Sequence, residues 1–293
     1  MSALRIGQVG LGNLGFLMAR SVAAKGFPFT VCDLRPEPVK EMEKLGAKAV
    51  TTPREVAADS DIVVSIVNDI SDNETIIFGK DGLMEGLKKG SVIMLCSTVG
   101  PDYAKSVYER AIKEGIRVLD VGMSKDGPGE DIGSQTMMCG GDEADFEYCK
   151  PVLDAIARHV FYVGAPGTGQ AFKVINNLLG IAIGTVTREV LNVGVKAGLD
   201  LEKMVEVMMV STGGSWSLNY MDFQMKARKG VKTSVSRPAP SKNIGLKDWT
   251  LARDYAKAVG AEIPATQFIH DLDTQSLYRA LAEAQANVYS GTI

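Results

Sequence analysis

The sequence predicts an α/β fold: a doubly wound parallel sheet followed by an all-helical C-terminal domain. Two observations carry this. Between Arg5 and Gly164, short apolar runs of four to seven residues alternate with helix-compatible segments. After Gly164 the alternation stops and only longer helical patterns remain. Continuous apolar runs bounded by turn residues suit parallel strands covered on both faces. The domain boundary is accordingly placed at Gly164, giving residues 1–164 and 165–293.

At 293 residues the chain is comfortable for two domains, and 45% hydrophobic with 23% charged residues is ordinary for a globular protein. A net charge of -3 gives no reason to expect nucleic acid or an anionic membrane as partner. No apolar run reaches about 18 residues free of charge or polar amides, so no membrane span is expected. MSALRIGQVGLG enters a strand-like pattern at once and leaves no room for a signal peptide. Cys32, Cys96, Cys139 and Cys149 lack any C-x-x-C spacing, which fits a reducing compartment, and a cytoplasmic location is expected. His159 and His270 are the only histidines, too few for a multi-histidine metal centre, and no metal is expected. Proton transfer then falls to a lysine or a carboxylate.

In order along the chain, Arg5–Val9 reads as a strand, followed directly by Gly10-Leu11-Gly12-Asn13-Leu14-Gly15 and a helical pattern ending at Gly26. Phe29–Cys32 is a second strand and closes on Asp33, 18 residues after Gly15. This is G-x-G-x-x-G between strand and helix, the signature of a Rossmann-type dinucleotide site. The glycines allow a tight turn and close approach of backbone to a pyrophosphate at the helix N-terminus. Asp33 would accept hydrogen bonds from ribose hydroxyls and repel a 2′-phosphate, so NAD is favoured over NADP. Arg35, two residues on, could bind such a phosphate instead.

Asp61–Val67, Ser91–Leu95 and Ile116–Val121 are further buried-strand patterns, the last preceded by a helical Pro101–Glu114. Ligands of open α/β sheets lie at the carboxyl ends of the strands. Val67 and Asn68 with Asp72, and Thr98 in Cys96-Ser97-Thr98, are therefore candidate cofactor contacts. Each also reads as a polar cap on its strand. Asp120–Gly133 looks too glycine-rich for helix and too polar for core, hence a functional loop in which Ser124 could hold a carboxylate. Met137–Gly140 begins a strand, Pro151–Ile156 a short helix, and His159–Val163 a last strand with His159 partly exposed at its end.

A long helix runs from about Thr168 to Leu199, apolar on most of its circumference and so read as buried. Lys173, Asn176 and Asn177 are set into it at i, i+3 and i+4, so both amides share a face with the amine. Such groups on an apolar helix need partners, unless the lysine merely snorkels from a helix end. Leu201–Val210, Ser215–Ala227, Ile244–Val259 and Ala265–Glu283 are the remaining helical patterns. Trp216, Tyr220 and Phe223 either line a pocket or fill the helical core; core is the reading taken. Lys247-Asp248 alone reads as a solvated turn.

Four segments taken together resemble the β-hydroxyacid dehydrogenase family, the group around 3-hydroxyisobutyrate dehydrogenase, over nearly the whole chain and in the family's order. They are Gly10–Gly15 with Met18-Ala19; Asp120-Val121-Gly122-Met123-Ser124; Gly167-Thr168-Gly169-Gln170-Ala171-Phe172-Lys173 with Asn176-Asn177; and Lys247-Asp248 with Leu251-Ala252. The resemblance implies that Lys173 is the acid/base, that Asn177 positions the substrate, that Ser124 binds its carboxylate, and that Thr98 and Lys247 lie by the cofactor. It also implies a homodimer or homotetramer built largely through the helical part. The sequence departs from the family after Ser124, where Lys125 and Asp126 stand in place of two glycines. Lys125 either meets a second anionic group on the substrate or points to solvent and pairs with Asp126 or Glu130.

The expected reaction is hydride transfer between NAD and the alcohol carbon of a small β-hydroxy acid, or reduction of the matching semialdehyde. An unperturbed lysine titrates at about 10.4, too high for a base at neutral pH. Burial and a nearby Lys247 would each favour the neutral amine. Two alternatives differ in class. Imine-reducing relatives share the architecture but generally lack the lysine. A non-catalytic dinucleotide-binding relative would have lost Lys173, Gly10 or Gly12, and all three are present.

Overall fold

A computed structural model describes residues 4–125, 133, 135–229, 243–272 and 279–290. Asp126 and Glu130, the partners considered for Lys125, lie outside these. The described chain forms two compact units that divide between Lys173 and Val174.

In the first unit the strands are β1 (Ile6–Val9), β2 (Phe29–Cys32), β3 (Lys48–Ala49), β4 (Ile62–Ser65), β5 (Val92–Leu95), β6 (Arg117–Lys125), β7 (Gln135–Gly140) and β8 (His159–Gly164). They form one sheet in the order β3-β2-β1-β4-β5-β6-β7-β8, parallel throughout except for the antiparallel β6–β7 pair. The helices are α1 (Asn13–Ala24), α2 (Pro36–Lys44), α3 (Pro53–Ala58), α4 (Ile70–Phe78), α5 (Leu83–Gly86), α6 (Pro101–Ala111) and α7 (Glu143–Ile156). The pleat sends alternate strand residues to two cores. Ile62, Val64, Met94, Leu119, Val121 and Met123 pack with Met18, Val22 and Leu153 on one face. Val63, Ile93, Leu95 and Val118 pack with Val56, Ile77 and Val107 on the other. Both faces are dry, as the unbroken apolar runs require. The order of connection reverses between β1 and β4, so a crevice opens beyond their carboxyl ends.

Two sequence expectations are corrected here. Asp120–Lys125 is strand rather than loop, because β6 gains an antiparallel partner running from Asp120 opposite Gly140 to Lys125 opposite Gln135. The short helix expected from Pro151 starts at Glu143, with Glu143 and Asp145 in its first turn and Pro151 inside it. His159 is exposed at the start of β8, as expected.

Helix α8 (Thr168–Lys196) runs from the first unit into the second. The second unit continues with α9 (Leu201–Met209), α10 (Trp216–Arg228), α11 (Asn243–Ala258), α12 (Pro264–Asp271) and α13 (Arg279–Ser290). The pattern read as one helix over Ala265–Glu283 is thus divided between α12 and α13. Asp200 caps α9 by accepting from Lys203 N–H at 2.7 Å, and Ser215 caps α10. Leu191, Leu201, Val205, Leu218, Met221, Met225 and Leu281 form the unit's core. Buried Asn192 accepts from Leu281 N–H at 3.2 Å, fixing the start of α13.

The expectation of a buried α8 is also corrected: Ile175, Leu179 and Val193 are 57%, 61% and 65% exposed. By length and composition α8 is apolar enough to cross a bilayer, which corrects the expectation that no stretch qualifies. Asn176, Asn177, Arg188 and Glu189 interrupt the run, but leucine, isoleucine and valine outweigh them on average. Trp216 and Phe223 are exposed and Tyr220 half-buried, because α10 turns Leu218, Met221 and Met225 inward instead. Trp216 stacks on Tyr220 with ring centroids 5.1 Å apart.

Candidate active site

Gly10 ends β1 with φ +97°, and a Cβ there would lie 1.9 Å from the carbonyl oxygen of Ile66. Only glycine turns the chain at this point. Gly12 is the N-cap of α1, with no side-chain cap, no acidic residue in the first turn, and open space where a Cβ would stand. The N–H groups of Asn13 and Leu14 therefore begin a helix free of competing side chains, while Gly15 is buried against the backbone of Gly10. Asp33, at the end of β2, accepts from Leu11 N–H at 2.6 Å. Its other oxygen accepts from Arg35 N–H at 2.8 Å and Nε at 2.9 Å, and Arg35 also donates to the Leu11 carbonyl at 2.9 Å. Burial would raise the Asp33 carboxyl, but the hydrogen bonds from Arg35 and Leu11 win and hold it below the usual range. A bare glycine cradle, an uncapped helix N-terminus and an ionised carboxylate beside it fit NAD. Arg35 is already engaged by Asp33, so the charge that a 2′-phosphate would need is partly neutralised.

At the next strand ends, Val67 N–H donates to Ser97 Oγ at 2.8 Å, and Ser97 Oγ donates to Asn73 Oδ1 at 3.2 Å. Asn68, exposed, donates to Asp72 at 3.2 Å in the first turn of α4. Thr98 is half-buried. Backbone register sets Val9, Ser65, Leu95 and Asp120 side by side, so the Gly10 turn, Val67-Asn68, Thr98 and Ser124 all lie along one edge of the sheet.

Asp120 anchors the start of α8. Its two oxygens accept from Gly167 N–H at 2.6 Å and Gln170 N–H at 2.7 Å, an acid at a helix N-terminus. Burial pushes this carboxyl up and the backbone N–H groups pull against it; it stays above its ordinary value. Two residues along β6, a Cβ on Gly122 would lie 2.3 Å from the Gly169 carbonyl oxygen and 2.7 Å from Lys173 Cβ. Strand and helix therefore touch backbone to backbone where Lys173 leaves the helix. Ser124 shares the face of Asp120 and Gly122. Lys125 falls on the opposite face, that of Val121 and Met123. The pleat thus sets Ser124 and Lys125 on opposite faces of β6.

Asn176 and Asn177 follow Lys173 on α8 at i+3 and i+4. In the helical unit Asn177 Nδ2 donates to Asp248 Oδ2 at 2.7 Å, which fixes which way the amide faces. Lys247 Nζ stands 4.0 Å from Asp248 Oδ1. Asp248 is buried, so its pair with Lys247 is more than the solvated turn read from the sequence. Sequence reasoning missed Gln170, Asn73 and the anchoring role of Asp120. Asp120 interrupts an apolar run, whereas Asn73 lies among Ser71, Asp72 and Glu74 and Gln170 follows Gly167-Thr168-Gly169, so local pattern does not tell these two from surface positions.

Comparison with known proteins agrees with this geometry. A sequence family described as the NAD binding domain of 6-phosphogluconate dehydrogenase matches residues 5–164. Another, described as NAD-binding of NADP-dependent 3-hydroxyisobutyrate dehydrogenase, matches residues 167–288. The chain is 32% identical to the NAD-dependent L-serine dehydrogenase of Pseudomonas aeruginosa, over 94% of this chain and 92% of that one. It is 33% identical to the 3-hydroxyisobutyrate dehydrogenase of the same organism, over 87% and 86%. The crystal structure of 3-hydroxyisobutyrate dehydrogenase from Salmonella typhimurium superposes with a TM-score of 0.79 at 27% identity, over 97% of this chain and 95% of that one. The chain therefore belongs to the β-hydroxyacid dehydrogenase family, as an NAD-linked hydroxyacid dehydrogenase built on a Rossmann-type sheet followed by a helical domain.

Proposed function

We propose that the chain oxidises the alcohol carbon of a small β-hydroxy acid with a single anionic group, of the L-serine or 3-hydroxyisobutyrate type, or reduces the matching semialdehyde, with Lys173 as acid/base. The observation that carries this reading is the contact of Lys173 Cβ with Gly122, two residues before Ser124 on one face of β6. It supports an amine-bearing side chain and a hydroxyl near the carboxyl end of β6, the end of the sheet at which the Gly10 turn and Thr98 also lie. NAD, when bound, would supply the hydride acceptor; Gly10–Gly15 and Asp33 would hold it, with Val67, Asn68, Asp72 and Thr98 as further contacts. Ser124 donates to the substrate carboxylate, and Asn176 and Asn177 orient the substrate from the turn below Lys173. Lys173 Nζ takes the proton of the substrate hydroxyl in oxidation and returns it to the carbonyl oxygen in reduction. Lys125, across the pleat, takes no part in the carboxylate grip.

The same reading includes a homodimer or homotetramer. Ile175, Leu179, Ile183, Val186, Val190 and Val193 recur at spacings of three and four and are 36–65% exposed. A stripe of that kind along one helix supports burial against a second copy. The four buried thiols, all free, support a reducing compartment, the cytoplasm.

Initial rates with NAD and NADP test the substrate class. Each mono-anionic acid is paired with an analogue carrying a second anionic group. The reading expects the mono-anionic member to win with NAD. A di-anionic preference of about tenfold or more, roughly 1.4 kcal/mol, would return Lys125 to the site and overturn the substrate class proposed here.

A further inference from the structure

Gln170 is fully buried, and its side-chain amide makes three hydrogen bonds to one loop. Oε1 accepts from Val99 N–H at 3.0 Å and Gly100 N–H at 3.3 Å, and Nε2 donates to the Ser97 carbonyl at 3.0 Å. Thr98 is bracketed between these anchors. The main chain of Gln170 is fixed as well, by its N–H to Asp120. One helical turn on stands Lys173, its Cβ against Gly122. On the loop side, Ser97 Oγ carries the connection to Val67 N–H and to Asn73, which donates to the Asp69 carbonyl at 2.6 Å. A single amide therefore joins the strand-end loops of β4 and β5 to the helix turn that bears Lys173. A leucine would fill much of the same volume but would leave two N–H groups and one carbonyl of the loop without partners.

We propose that Gln170 is a positioning residue: it fixes the Ser97–Gly100 loop to the first turns of α8 and so sets the spacing between Thr98, at the cofactor, and Lys173. This rests on the assignment of Lys173 as acid/base. Transfer of hydride and proton in one geometry is sensitive to displacements of an ångström or less, so the loop needs a fixed register to the helix and not merely a filled space.

Two variants test it, with kcat, KM and NADH affinity by fluorescence titration measured across pH and the fold followed by circular dichroism. Gln170→Leu should lower kcat at least tenfold at every pH, with NADH affinity and substrate KM changed less than threefold. Gln170→Glu is nearly isosteric. Its protonated carboxyl still donates to the Ser97 carbonyl and accepts from the two N–H groups, whereas the carboxylate cannot donate. The ratio of its kcat to that of the parent should therefore start within threefold on the acid side and fall toward the Gln170→Leu level as pH rises. Turnover of both variants within threefold of the parent at every pH would overturn the proposal. So would a loss of turnover that tracks loss of NADH binding or of the folded signal. Lys173→Met in the same assay separates the two claims: retained turnover there removes the acid/base assignment, whatever the Gln170 variants do.

Discussion

Lys173 Cβ lies 2.7 Å from the point that a Cβ on Gly122 would occupy, closer than real side chains approach. The site is thus built on a missing side chain in β6, which lets α8 sit against the strand. Gly122→Ala should force the helix turn outward, lowering kcat at least tenfold and stability by about 1–3 kcal/mol. Steady-state kinetics with a denaturant titration checks both. Unchanged kcat would show that the contact does not hold the acid/base in place.

Asp33 receives Leu11 N–H at 2.6 Å and two donors of Arg35 while facing the cradle of the glycine turn. Asp33→Ala should weaken NAD by about tenfold or more, roughly 1.4 kcal/mol. NADP, which loses a repulsive neighbour, should weaken less or bind better. Calorimetric titration of both cofactors gives the ratio, and equal loss for both would show that Asp33 does not discriminate.

Much of this site can be read without coordinates, for a physical reason. The glycine turn, the parallel strands and Asp33 are local: each is set by residues a few positions apart, whose spacing matches one backbone geometry. What escaped the sequence depends on distant pairing. Asp120–Lys125 reads as loop because its partner, Gln135–Gly140, lies beyond a glycine-rich stretch. Ser124 and Lys125 are neighbours in sequence yet fall on opposite faces, and only the strand assignment separates them. Gln170 meets a loop about 70 residues away. The exposed apolar face of α8 reads as core because composition does not distinguish a helix buried in its own chain from one awaiting another surface.

Arg5 holds Asp61 with Nη2 to Oδ1 at 2.6 Å and Nε to Oδ2 at 3.2 Å. This hydrogen bonding, against the cost of burial, keeps the Asp61 carboxyl below its ordinary value. A depressed folded-state pKa contributes stability above the unfolded value, about 3.9, that is lost as pH falls through the folded value. Arg5→Gln should therefore be less stable than the parent at neutral pH, by under about 1 kcal/mol for so exposed a pair. The difference should shrink progressively below about pH 4. Urea titrations at neutral and acid pH check the sign, and a gap that widens on acidification would contradict it.

The stripe on α8 gives a prediction of its own. Leu179→Glu with Ile183→Glu puts two charges on exposed apolar positions, so the monomer's own fold should survive. Sedimentation should show the parent as a dimer or tetramer and the double variant as a smaller species with unchanged circular dichroism. A parent that sediments as a monomer at micromolar concentration would remove the homo-oligomer from the proposed reading.

The central claim is that Lys173 moves the proton while the glycine turn and Asp33 hold the cofactor. It is tested most directly by Lys173→Met, with NADH affinity and turnover measured on the same sample, using the best substrate of the panel. The account predicts NADH affinity within about threefold of the parent and turnover reduced by about 10²-fold or more, the usual scale of acid/base catalysis. Turnover within tenfold of the parent, with NADH still bound, would contradict it.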